Sequence, residues 1–106
     1  MTEKIGLTKI KQNLNSSEAD MILTDIFKLL GDKNRYRIMK IISEDKELCV
    51  GDLAKILDTS MSAVSQHLRI LEMSGLIEGN RRGQSMCYKP LLTHPKIKEV
   101  LKLMKQ

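Results

Sequence analysis

Four polar side chains, Ser62, Ser65, Gln66 and Arg69, lie opposite or beside an apolar stripe of Val64, Leu68 and Leu71, spaced i, i+4, i+7. Such a segment is an amphipathic helix with one face to dock and one to present. Glutamine pairs with adenine through two hydrogen bonds, arginine does so with guanine, and a serine hydroxyl meets a base edge or a phosphate. The set therefore suits the major groove of duplex DNA. Ser62, Ser65 and Gln66, nearer the helix start, are the better readers of bases, and Arg69 is better placed for phosphate. The plainer alternative is a solvated polar face. Arg81 and Arg82 adjoin Gly83, where two cations on a tight turn suit phosphate or a narrow minor groove. The plainer alternative there is an exposed turn. Cys49 and Asp52 are a possible redox or partial metal site, since a thiol near a helix N-terminus ionises more readily. The alternative is an inert thiol. His67, at the margin of the docking face, reads as a structural histidine hydrogen-bonded between helices.

These residues need elements to position them. Residues 1–15 have weak periodicity and read as a flexible or partly helical arm. Ser17, with Asp20 three residues on, resembles a capping box. It opens a helix to about Leu30, with Leu23, Ile26, Phe27 and Leu30 at helical spacing, which Gly31 ends. Asp32 caps a second helix, about 33–43. A third runs from Val50 to Leu57, with Leu53, Ile56 and Leu57 facing inward. Asp58 and Thr59 break it, and Ser60 caps a fourth, Met61 to Ser74, stopped by Gly75. Two short segments, 76–80 and 84–89, flank Arg81-Arg82-Gly83 and read as a hairpin. Thr93, His94 and Pro95 then open a last helix, with Pro95 in its first turn. The third and fourth helices, joined by a tight turn, form a helix-turn-helix, and the hairpin behind them is a wing. The expected fold is mainly α with a small β-hairpin: a winged helix-turn-helix, dimeric, over residues 16–106.

Composition agrees with a nucleic-acid partner. The chain has 106 residues, 42% hydrophobic but only 3% aromatic, so one modest core must be built from Leu, Ile, Val and Met. The net charge of +5 lies wholly in residues 61–106, where eight basic side chains face three acidic ones. That excess favours a polyanion: double-stranded DNA first and an anionic membrane second. No apolar run approaches the ~20 residues that span a bilayer. The start of the chain has no signal-peptide core. A cytoplasmic protein is expected, with Cys49 and Cys87 as thiols. No phosphate loop, nucleophile elbow or His-Glu metal motif appears, so an enzyme is not expected. A dimeric interaction module without DNA binding is the more serious rival. Ile97, Val100, Leu101 and Met104, at i, i+3, i+4, i+7, form a stripe that a lone domain would not fully cover. It is expected to pair with its two-fold mate, beside the helix from about Ser17 to Leu30.

From Asp32 to Tyr88 the sequence resembles the ArsR/SmtB family of transcriptional repressors. The matching pieces are Asp32-Lys33-Asn34-Arg35 with Arg37-Ile38, the run from Glu47 to Ala54, Ser65-Gln66-His67-Leu68 with Leu71, Gly75-Leu76-Ile77, and Arg81-Arg82-Gly83-Gln84 leading to Tyr88. The resemblance implies a homodimeric repressor whose first and last helices form the seam and whose operator, an inverted repeat, is released when an inducer binds. It also implies metal sites that this chain matches only in part. The Cys-x-Cys pattern has Cys49 and then Gly51. A second type joins Cys49 and Asp52 to Cys or His of the arm, and residues 1–15 hold neither. A third, on the last helix, keeps His94 but has Leu92 and Lys105 at two other positions. Zn²⁺ or another thiophilic metal would thus find an incomplete ligand set. Sensing through metal or thiol oxidation at Cys49 stands as the alternative reading.

Overall fold

Caps and glycines punctuate the chain where their chemistry requires. The computed structural model describes residues 4–14, 17–44 and 47–105. Helix α1 spans Lys4–Asn13. Residues 1–3 and 15 of the expected arm lie outside the described residues, and the rest of it is this helix and its last turn. Helix α2, Glu18–Leu30, starts where Ser17 Oγ accepts the Asp20 N–H at 3.1 Å. Helix α3, Lys33–Ile42, starts where Asp32 Oδ2 accepts the N–H groups of Asn34 and Arg35, both at 3.0 Å. Strand β1, Leu48–Cys49, leads directly into α4, Val50–Leu57, and then α5, Met61–Met73. Strands β2, Ile77–Arg82, and β3, Ser85–Pro90, precede α6, Ile97–Met104.

The wing is a three-stranded antiparallel sheet, ordered β1-β3-β2, rather than a bare hairpin. β1 escaped the sequence reading because two residues are too few to show alternation. Its register sets Leu48 against Tyr88 and Cys49 against Cys87. β2 and β3 run from Ile77↔Pro90 to Arg82↔Ser85. Their two-residue turn is Gly83-Gln84, and Gly83 has φ +61°, the left-handed conformation that a first turn residue needs in this kind of hairpin.

Ile38, Met39 and Ile42 of α3, Leu53 of α4, Val64, Leu68 and Leu71 of α5, and Leu76 and Ile77 meet in one buried core. Three expectations are corrected here. Ile97, Leu101 and Met104 are buried in the protomer's own core, so of the expected seam only Val100 stays half-exposed. α6 is drawn inward by its apolar face and by Lys40 Nζ, which donates to the Met104 carbonyl at 2.8 Å. α6 begins at Ile97 and not at Pro95, because His94 Nδ1 accepts the Lys96 N–H at 3.1 Å and holds a turn before the helix. Ile56 and Phe27 point outward, Phe27 with 64% exposure, while Ala54 takes the inward place in α4.

Candidate nucleic-acid interface

The turn between α4 and α5 is three residues long because Asp58 adopts a left-handed conformation, φ 53° and ψ 52°. The Thr59 N–H then closes on the Ala54 carbonyl at 3.0 Å. Ser60 follows as the N-cap of α5, its Oγ accepting the Ala63 N–H at 3.1 Å. Val64, Leu68 and Leu71 are buried and fix the rotation of α5 about its axis. Ser62, Ser65, Gln66 and Arg69 are all exposed. At 3.6 residues per turn they occupy an arc of about 100°, centred about 140° from the docking face. The four expected readers therefore share one outward face.

The wing places Arg81 and Arg82 at the end of β2, both exposed. The two are not equivalent. Arg82 Nε donates to Glu47 Oε1 at 2.7 Å and its Nη2 to Oε2 at 3.3 Å. Asn80 Nδ2, two residues back on the same strand face, donates to Glu47 Oε2 at 3.4 Å. The Arg82 hydrogen bond, with its positive charge and Asn80 adding to it, holds the Glu47 carboxyl below its usual range, and the same contact raises Arg82. Arg81 has no ion-pair partner among the described residues. Sequence reasoning missed Glu47 as the holder of the wing arginine. The two lie 35 residues apart, and only the sheet brings them together.

His67 departs from its expected role. Its Nδ1 is buried, makes no hydrogen bond, and sits 3.8 Å from Asp32 Oδ2, too far for one. Asp32 spends its carboxylate on the α3 N-terminus, and the Arg35 N–H is the main reason its pKa is lowered.

Cys49 and Cys87 are joined by a disulfide, which corrects the expectation of two thiols. The cause is β1: residues directly opposite in an antiparallel pair have neighbouring Cβ atoms. Asp52, the other half of the partial site, is also occupied, accepting the Cys49 N–H at 3.2 Å as a helix cap. With the disulfide closed, a thiophilic metal does not fit this donor set, its sulfur bonded elsewhere and its carboxylate turned to the backbone. At His94 the Nδ1 lone pair is already engaged by Lys96, and burial lowers its pKa.

Residues 32–78 match the family described as bacterial regulatory protein, arsR family. The cadmium resistance transcriptional regulatory protein CadC of Listeria innocua is 35% identical over 62% of this chain and 56% of its own length. The chain thus spans little more than half of that relative. A CadC homolog of Staphylococcus aureus is 32% identical over 77% of the chain and 67% of its own length. Among solved structures, HlyU from Vibrio cholerae superposes with a TM-score of 0.75 at 27% identity, covering 84% of this chain and 94% of that one. The winged helix-turn-helix domain of Mb0332 from Mycobacterium bovis superposes with a TM-score of 0.66 at 21% identity, covering 87% of this chain and 86% of that one, which shows the fold expected from sequence.

Proposed function

The chain belongs to the ArsR family of bacterial regulatory proteins, and from that premise we propose that it is a sequence-specific transcriptional repressor that binds duplex DNA as a homodimer in the cytoplasm. Residues 16–106 act as one DNA-binding and dimerisation domain without enzymatic activity. The observation that carries this reading is the outward face of α5, held opposite a buried docking face with the basic wing beside it. Gln66 and Ser62 and Ser65 read base edges, and Arg69, Arg81 and Arg82 hold phosphate. Glu47 offsets the charge of Arg82, so Arg81 is the stronger phosphate contact.

Two recognition helices must face one side of the duplex, which calls for a two-fold partner. The seam follows the residues that the protomer leaves uncovered. Phe27, Leu30, Tyr36, Val100 and Leu103 line an apolar groove of about 260 Å³ between α2, α3 and α6. Phe27 and Leu103 are each 64% exposed. A second copy offers the same groove in return, so Val100 serves the seam with Met104 on the groove floor, while Ile97 and Leu101 support it from behind. No helix among the described residues is long and apolar enough to cross a membrane, and DNA remains the polyanion that the basic second half serves. Release by an inducer is part of the reading. The relatives named for cadmium resistance suggest a metal, but among the described residues no three His, Cys, Asp or Glu side chains gather to hold one.

The test is selection of the full-length protein against random duplexes. An inverted repeat with half-sites one helical turn apart is expected. Recovery of no enriched motif would overturn the reading.

A further inference from the structure

We propose that Cys49 and Cys87 form a reversible modification site, closed to a disulfide by a hydroperoxide and reopened by a dithiol, and that the closed form binds DNA more tightly; the proposal rests on the DNA-binding reading above. The two cysteines are 38 residues apart in sequence. The loop they close holds α4, the turn, α5, β2 and the wing tip. All six candidate DNA contacts, Ser62, Ser65, Gln66, Arg69, Arg81 and Arg82, lie inside it. The bond thus encircles the DNA-reading unit and leaves the α2, α3 and α6 scaffold outside.

The bond also sits on the shortest strand of the sheet. β1 is two residues long and pairs with β3 only at Leu48↔Tyr88 and Cys49↔Cys87. On its N-terminal side Glu47 grips Arg82 and Asn80. On its C-terminal side Cys49 is the N-cap of α4. With the bond closed, wing and helix-turn-helix keep one relative placement. With it open, β1 keeps its two backbone pairings, the packing of Leu48 on the core and the exposed Glu47 contacts, but loses its one covalent tie to β3, and part of the binding free energy must go to ordering the wing.

The two sulfurs have distinct parts. Cys49 is half-exposed at a helix N-terminus, where thiolate is favoured. Cys87 is 1% exposed. The Cys49 thiolate attacks one oxygen of the hydroperoxide; the O–O bond breaks and the departing oxygen leaves, protonated, as water or alcohol. Cys49 is then a sulfenic acid. Cys87 displaces its hydroxyl, which leaves as water with the Cys87 proton, and the S–S bond forms. Two thiols lose two electrons and two protons, and the peroxide is reduced. A dithiol reverses the bond by exchange, through a mixed disulfide at half-exposed Cys49.

The experiment uses the full chain with its selected duplex at fixed salt. One arm is treated with hydrogen peroxide and one with dithiothreitol, and the thiols are counted by mass under non-reducing conditions. The expected result is loss of both thiols on peroxide, their return on dithiothreitol, and affinity at least about fivefold higher in the closed form, the low end of ordinary coupling between sites. Cys49→Ser, which keeps a good capping residue, should bind like the reduced protein and ignore peroxide. Duplex binding that does not change with the bond, weaker binding in the closed form, or thiols that peroxide never joins would each overturn the proposal while leaving the DNA reading intact. Absence of duplex binding in both arms would overturn the DNA reading and the proposal with it.

Discussion

Gly79→Ala sets two effects of opposite sign against each other, and the structure says which wins. In the middle of a strand, replacing glycine removes freedom from the unfolded chain and stabilises by about 0.5–1 kcal/mol where there is room. At Gly79 there is none. A Cβ would stand 2.8 Å from Tyr88 Cε2, 3.1 Å from Met86 Cε and 3.3 Å from Glu72 Oε2. Carbon pairs settle at roughly 3.5–4.0 Å. The Met86 methyl can swing aside at small cost, but the Tyr88 ring is only 9% exposed and is Gly79's direct partner across β3. Forcing it aside is overpacking, which costs about 1–3 kcal/mol. The net expectation is a loss of about 1–2 kcal/mol, or roughly 4–8 °C in melting temperature for a domain of this size. Gly51→Ala is the control. It lies in α4 with nothing within 4 Å of the added carbon, so it should stabilise by about 0.5–1 kcal/mol. Urea unfolding followed by circular dichroism checks both, at one protein concentration and one redox state because a dimer's stability depends on the first. Equal or greater stability of Gly79→Ala would refute the packing argument.

The other expectations are more direct. Gln66→Ala should lose about 1–3 kcal/mol of operator binding and relax preference at one position per half-site, measured by repeating the selection; an unchanged motif would remove Gln66 from the readers. Glu47→Gln takes a negative charge from beside Arg82, so affinity for all duplexes should rise and its salt dependence steepen; weaker binding would mean that holding Arg82 matters more than its charge. Leu103→Asp should give monomers by light scattering and lose operator binding, whereas a monomeric wild type at micromolar concentration would refute the seam. His94 has a folded pKa below its ordinary 6.5 because burial disfavours the cation. The unfolded chain therefore binds the proton more readily, and stability is full above pH 6.5 and falls as pH drops through the folded value. The urea midpoint should be lower at pH 5 than at pH 7.5, and His94→Gln should shrink the difference.

The helices were legible because each carries its own signals: Ser17, Asp32 and Ser60 cap as their types require, and Gly75 and Gly83 take positive φ. The outward face of α5 was legible because Val64, Leu68 and Leu71 leave one rotation open. What failed was non-local. Ile97, Leu101 and Met104 announce an apolar stripe, but the stripe does not say whether its own core or a second copy covers it; in the protomer the core takes it. The loss of Pro95 from α6 depends on one imidazole accepting the Lys96 N–H. The pairing of Cys49 with Cys87, and of Glu47 with Arg82, depends on a two-residue strand that no periodicity could mark.

That strand explains how so small a domain keeps two DNA-facing elements in one frame. A lone two-stranded hairpin is marginal in water, and Ile77 and Tyr88 anchor β2 and β3 to the core only at the inner end of the wing. β1 gives the hairpin a third strand, and no residue separates β1 from α4: Cys49 ends one and Val50 begins the other. Displacing β1 by even part of a residue would shift the α4 N-terminus through Cys49 and its Asp52 cap, and Arg82 through Glu47. α4 packs on α5, which carries the readers. A change at this single segment therefore reaches base contacts and phosphate contacts together, without a relay through the core. Of all places in the fold, the junction of β1 and α4 is where a small chemical event has the shortest path to the whole interface.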